Sequence, residues 1–207
     1  MNLQNIILLE SHFFPSVFYF STIMQYPSVI LEKNEHFQKG TYRNRCQIAT
    51  AQGAQMLSVP LKKGKNNQQL ITDVLISNDV NWQRPLWRTL QSAYGNAPYW
   101  EHYAPVFKPF FTKKYERLFD YNLEIFLTLL KILKLDKSIS ISFTDTYHTN
   151  FTEGVDFRNQ CAIHKPTDQN GRYAQIFEDR NGFIPNLSVL DLIFCQGRQS
   201  LDILRMI

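Results

Sequence analysis

Two short apolar runs, Ile6-Ile7-Leu8-Leu9-Glu10 and Ser28-Val29-Ile30-Leu31-Glu32, bracket a segment that opens at Pro15-Ser16 and closes at Pro27. Apolar runs of this length, bounded by turn residues, are the pattern of buried strands. Between them Ser16 can cap a helix over 17–24, and Pro27 cannot continue it. A helix held between two strands so close in sequence makes a tight βαβ unit, with parallel strands and a right-handed crossover. That unit commits the chain to the α/β class.

The remaining segments follow from local pattern. Residues 46–50 and 55–60 flank Ala51-Gln52-Gly53-Ala54 and predict a hairpin, with Gly53 supplying the turn. A charged loop follows over 62–69, then a strand over 71–76. Asn81 can cap a helix over 82–94 that tolerates Pro85 in its first turn and stops at Gly95. Pro98, Pro105 and Pro109 divide the next stretch into short helical pieces. The clearest helix spans 115–133, where Tyr115, Leu118, Phe119, Asn122, Phe126, Leu129, Leu130 and Leu133 recur at three and four. A strand over 138–143 precedes a polar stretch, 144–171, expected to be a long loop with at most short elements. Asn186 can cap a last helix from Leu187 to about Cys195, with Gly197 beyond it. The expected fold is therefore α/β, a mixed sheet with an N-terminal parallel βαβ unit, a β-hairpin and a helical portion at about 80–135. All of it forms one domain over residues 1–207. A chain of 207 residues can bury about 70% of its unfolded surface, enough to need no staple.

Composition removes several functions. The net charge of +4 permits an anionic ligand, yet no helix-turn-helix, RNP-like or finger pattern accompanies it, so nucleic acid is not expected. Cys46, Cys161 and Cys195 are odd in number and far apart, without a Cys-x-x-Cys or a His pair at metal spacing. They read as thiols in a reducing compartment, with no metal site. Glu10, His12 and Pro15 interrupt the apolar stretch 6–24 and no basic residue precedes it. Neither a membrane span nor a signal peptide is expected, and the predicted location is cytoplasmic.

Several blocks occur in a fixed order. They are Phe13-Phe14-Pro15 with Tyr19-Phe20, Tyr42-Arg43-Asn44-Arg45, Leu57-Ser58-Val59-Pro60, Tyr94-Gly95-Asn96-Ala97-Pro98-Tyr99, and Gly182-Phe183-Ile184-Pro185-Asn186-Leu187-Ser188-Val189-Leu190-Asp191-Leu192. Together they resemble the WbqC-like family across nearly the whole chain. The resemblance implies a bacterial cytoplasmic protein, often encoded among genes for surface-polysaccharide or O-antigen assembly. It supplies no assigned catalytic residue and no cofactor. Two departures stand out. The interval 144–176 is short where many members carry a further strand–helix unit. Glu10-Ser11-His12 stands where others often have Gln-Pro-Asn/Tyr.

Ligands of open parallel sheets gather beyond the carboxyl ends of the strands. There Glu10, Ser11 and His12 close the first strand, and Lys33-Asn34 the second. The helix start near Ser16 and Val17 would face the same crevice and favour an anion. Glu10 and His12 form a candidate catalytic pair, because a carboxylate can orient an imidazole for proton transfer. The plainer reading is a packed histidine after a strand end. Tyr42, Arg43, Asn44 and Arg45 are candidate ligand contacts, since two arginines can fork onto a phosphate or carboxylate. The alternative is an internal salt bridge. Tyr94 and Asn96 are further ligand candidates, and Trp82, Trp87, Tyr99, Trp100 and Tyr103 crowd the same stretch, more in the manner of a core than of a groove. Asp191 joins the candidate set; buried, it needs a partner, with Arg43 or Arg45 the expected one.

Three functions are thus open. The first is a transferase acting on an activated sugar or acyl donor. The second is a non-catalytic protein binding a nucleotide, a phosphate-bearing or sugar ligand, or a pathway partner. Nucleic-acid binding comes last. A structure that joins Glu10 to His12 favours the first over the second.

Overall fold

The computed structural model describes residues 5–62, 69–161 and 172–207. The Lys63-Gly64-Lys65 part of the charged loop and residues 162–171 of the expected long loop lie outside them.

The βαβ unit forms where the sequence places it: β1 (Ile6–Glu10), α1 (Val17–Ile23) and β2 (Ser28–Glu32). β1 and β2 pair in parallel, from Ile6 opposite Ser28 to Glu10 opposite Glu32. Residues 7–10 of β1 are all buried, so this strand is covered on both faces, which explains its continuous apolar run. Ser16 caps α1 by accepting from the Tyr19 N–H at 3.3 Å.

A hairpin follows, β3 (Arg45–Thr50) and β4 (Gly53–Ser58), with Gly53 at φ +103°, in a region glycine enters without strain. The helical portion consists of α2 (Gln83–Tyr94), α3 (Trp100–Phe107) and α4 (Leu118–Ile132). The strand expected over 71–76 is instead a 3-10 turn, Ile71–Asp73, followed by single bridges from Leu75 to Arg117 and from Ile76 to Leu61. The same pairing keeps α4 from starting at Tyr115: the Ile76 and Leu118 N–H groups bond to the carbonyls of Glu116 and Val74, so Arg117 is extended and the helix begins at Leu118.

β5 (Ser140–Phe143) adds to β2, and β6 (Val155–Asp156) adds to the other side of β1, both in parallel. The sheet order is β5-β2-β1-β6, and the hairpin is a separate sheet. The strand order thus reverses direction at β1, where a crevice opens in folds of this kind. Gly154 permits the β6 contact: a Cβ there would stand 2.3 Å from the Ile6 carbonyl oxygen, nearer than two such atoms can approach.

The chain ends in α5 (Glu178–Asn181), α6 (Val189–Gln196) and α7 (Ser200–Met206). Helix α6 starts two residues later than the sequence suggests, capped by Ser188. Asn186 does cap a helix, but a different one: its Oδ1 accepts from the Phe18 N–H of α1 at 3.1 Å. The segment 186–189 docks antiparallel on Pro15-Ser16, with the Val17 N–H bonded to the Leu187 carbonyl and the Val189 N–H to that of Pro15. Among the described residues no helix is long and apolar enough to cross a membrane.

Candidate active site

Side chains alternate along an extended chain, so Glu10 at the end of β1 and His12 two residues on point the same way. Their side chains meet, His12 Nε2 to Glu10 Oε1 at 3.0 Å, and both residues are 2% exposed. The Asn159 N–H, just beyond β6, donates to both Glu10 oxygens at 3.1 Å. Burial pushes the Glu10 carboxyl up, but the hydrogen bond and charge of His12, with the Arg43 charge beyond, reverse this and hold it at about 2. An ionised carboxylate only accepts, so His12 Nε2 must carry the hydrogen between them. Whenever the ring carries only that one proton, Nδ1 presents a lone pair. That nitrogen is buried and, among the described residues, has no hydrogen-bond partner. The rings of Tyr19 and Tyr42 flank the imidazole, with centroids 4.8 and 5.6 Å away.

The loop 42–45 is fixed beside His12 by its backbone. The Phe13 N–H donates to the Tyr42 carbonyl, Asn122 of α4 donates to that of Arg43, and Asn44 exchanges two bonds with Val59. The Tyr42 hydroxyl is buried and, among the described residues, has no hydrogen-bond partner; burial together with Cys161 and Cys46 raises it to about 12, so it keeps its proton. Arg43 does fork onto a carboxylate, but an internal one. Its Nε and Nη2 reach Glu35 at 2.7 and 2.5 Å, and Nη2 also reaches Asn159 Oδ1 at 3.0 Å. Arg43 is fully buried, so the internal salt bridge prevails and no face is left for a ligand. Arg45 opens β3, half-buried, with Nε lacking a protein partner.

The other strands contribute as well. Glu32 closes β2 opposite Glu10; its Oε1 accepts from Thr144 at 2.6 Å and from the Asn34 N–H at 2.8 Å. Its Oε2 meets Arg158 Nη1 at 3.0 Å, and Arg158 also clamps Asp156 at 2.9 and 2.6 Å. The carboxyl ends of the parallel strands therefore hold a polar cluster, buried at Glu10, Glu32, Glu35, Arg43 and Arg158 and reaching the surface at Asp156. It carries four carboxylates (Glu10, Glu32, Glu35, Asp156) against two guanidiniums (Arg43, Arg158). Among the described residues no three His, Cys, Asp or Glu side chains are grouped to hold a metal.

The anion expected at the start of α1 finds no donors there. The N–H groups of Val17, Phe18, Tyr19 and Phe20 bond to Leu187, Asn186 and Ser16. Asp191 stands in a network of its own rather than on an arginine. Tyr94 and Tyr173 each donate to it at 2.8 Å, and Tyr94 accepts from the Ala49 N–H. Burial raises this carboxyl to about 6, although the two phenol bonds pull it down. Tyr94 is thereby committed to structure. Asn96 is an exposed turn residue after α2, and Trp82, Trp100 and Tyr103 are core.

Two surface depressions bear on access. One of about 500 Å³ is lined by Glu35, His36, Phe37, Gln38, Lys39 and Tyr147, and so reaches the Glu35 carboxylate that Arg43 holds from within. Another, of about 560 Å³, lies at the start of α2 between Trp87 and Lys114 and contains none of the strand-end groups. Of the two, only the first touches the polar cluster, through Glu35; neither Glu10 nor His12 lines it.

The sequence reading missed Glu32, Glu35, Thr144, Asp156, Arg158 and Asn159. One signal for them was present. Glu10 and Glu32 each end an otherwise buried strand, and a buried carboxylate demands cations or N–H donors. Which residues meet that demand is decided by the pairing of β6, which two residues cannot announce.

No solved structure matches the chain. A similar protein is described as "Uncharacterized protein Rv1507c" from Mycobacterium tuberculosis, 24% identical over 232 residues and covering 98% of each chain. The sequence matches the WbqC-like protein family over residues 10–164, a span that takes in Glu10, His12, the 42–45 loop and Asn159, and the chain belongs to that family.

Proposed function

We propose that this WbqC-like protein is a transferase of bacterial surface-polysaccharide metabolism, using Glu10 and His12 as an acid/base pair on an activated sugar or acyl donor. The observation that carries the reading is the buried Glu10–His12 pair with its unpartnered Nδ1. A binding protein has no use for an imidazole oriented by an ionised carboxylate and left with a vacant basic nitrogen. Buried polar atoms without partners are rare and call for an explanation. In this reading Nδ1 takes the proton of the acceptor hydroxyl or amine as it attacks, and Glu10 stabilises the imidazolium that forms. Arg43 acts at one remove: it positions Asn159, whose N–H holds Glu10. The Tyr42 hydroxyl is free to meet the ligand.

The test has two parts. Purified protein is screened by thermal unfolding against nucleotide sugars, acyl carriers and simple phosphates; a ligand at 100 times its dissociation constant adds about 2.7 kcal/mol. His12→Ala is then placed in the producing bacterium. A donor that stabilises wild type and His12→Ala alike, with an altered polysaccharide in the variant, supports the transferase. Binding with an unaltered polysaccharide leaves a binding protein, and the acid/base assignment falls.

A further inference from the structure

The depression at the start of α2 is built unlike the polar cluster at the strand ends. Its volume, about 560 Å³, lies within the roughly 300–1,000 Å³ of small-molecule sites. Trp87 of α2 forms its aromatic wall. This indole is half-buried and lies against Trp100 and Phe111, with ring centroids 5.3 and 5.4 Å away. Two rings hold it in place, and part of its surface is left to the depression. A fixed, half-open indole is a platform on which a flat ligand ring can stack.

Polar groups surround that wall. Gln83 lines the depression and is 7% exposed. Its Nε2 donates to the Phe110 and Lys113 carbonyls at 2.9 and 2.6 Å, which fixes the amide. Among the described residues no group donates to its Oε1, and that oxygen is not sealed from solvent. It is thus an oriented acceptor awaiting a hydroxyl or an N–H.

The charge on the lining is one-sided. Arg84 enters from α2 and Lys114 from the segment after α3; both are exposed, and neither takes part in an ion pair among the described residues. The acid on the lining, Asp79, accepts from the Ser77 hydroxyl at 3.0 Å. Helix α2 carries no acidic residue in its first turn, so the positive end of its dipole adds to the two cations.

We propose that this depression is a second ligand site, separate from Glu10 and His12, and that it takes a phosphorylated ring. The ring lies on Trp87, its phosphate meets Arg84 and Lys114, and a hydroxyl or N–H of the ligand donates to Gln83 Oε1. Sugar phosphates and nucleotides share this chemistry. The proposal does not rest on the acid/base reading, because no strand-end group lines the depression. A ring without phosphate leaves both cations unanswered, and bare phosphate leaves the indole and Oε1 unused, so tight binding needs both parts.

The chain supplies its own reporter. Its three tryptophans are Trp82 and Trp87, which line the depression, and Trp100, which packs on Trp87. Intrinsic fluorescence of the full chain is titrated with glucosyl phosphate, AMP, glucose, adenosine and inorganic phosphate. A saturable change is expected with one or both phosphorylated rings, at lower concentration than with any of the other three. Saturation by glucosyl phosphate alone identifies a sugar phosphate, and by AMP alone a nucleotide; either upholds the site. Arg84→Gln and Lys114→Gln should each weaken binding about 10-fold, the loss of one hydrogen bond to a charged group, with the unfolding temperature unchanged. Arg88→Gln removes an exposed cation of α2 that stands outside the depression and should leave the affinity as it was. Equal binding of bare phosphate, glucose or adenosine overturns the proposal. So does the lack of a saturable change with all five, or a loss in Arg88→Gln equal to that in Arg84→Gln.

Discussion

The Glu10 carboxyl gives the site a measurable signature in stability. In the unfolded chain it titrates near 4.5, and in the folded protein at about 2. Between those values the folded state binds fewer protons than the unfolded one, so stability rises with pH across that window. The contribution is fully present above about 4.5 and is lost as the pH falls through about 2. At about 1.4 kcal/mol for each factor of ten, the separation amounts to about 3 kcal/mol, of which about 2–3 kcal/mol disappears between pH 6 and 2.5. Glu10→Gln keeps the shape and an acceptor for the Asn159 N–H but carries no charge. Urea unfolding of wild type and Glu10→Gln across that range isolates the effect, because other acid-sensitive groups are common to both. The difference between the two should shrink by the stated amount as the pH drops. A difference that stays constant from pH 6 to 2.5 would show that Glu10 is not held ionised by His12 and Arg43, and the tautomer assigned to His12 would fall with it.

Asp191 should behave in the opposite sense. Its folded value, about 6, lies above the ordinary 3.8, so its contribution is full below about 3.8 and is lost as the pH rises through 6. Wild type should lose about 1–2 kcal/mol relative to Asp191→Asn between pH 5 and 7.5; equal pH dependence of the two by urea unfolding would contradict the burial argument. Gly154→Ala should force β6 off β1, since the added Cβ meets the Ile6 backbone at 2.3 Å. Amide exchange at Asn159 should then speed by at least 10-fold while exchange in the β3–β4 hairpin stays as it was. Protection of Asn159 equal to wild type would remove Gly154 as the condition for that contact.

The local grammar of the chain determined a good part of this protein. β1, α1 and β2 stand where the apolar runs, Ser16 and Pro27 put them, because burial on both faces and a cap are written in neighbouring residues. The Glu10–His12 contact was legible for the same reason: the two are separated by one residue on an extended chain, and alternation aligns them. The WbqC-like blocks likewise located the family.

Tertiary structure decided what pairs with what. Arg43 could have forked onto a ligand or onto a carboxylate, and the bend that brings Glu35 against it chose the carboxylate. Asp191 drew two phenols instead of an arginine because the fold sets Tyr94 at the end of α2 and Tyr173 of the segment before α5 against it. Asn186 caps α1, far away in sequence, rather than the helix it precedes. Most of all, β6 is two residues long and has no periodicity to read; it exists because β1 offers an open edge and Gly154 allows the approach. Arg158 and Asn159 reach the strand ends only through that pairing. Burial patterns repeat over three or four residues and are visible in a sequence, whereas a partner more than a hundred residues away is selected by free energy in the folded chain alone.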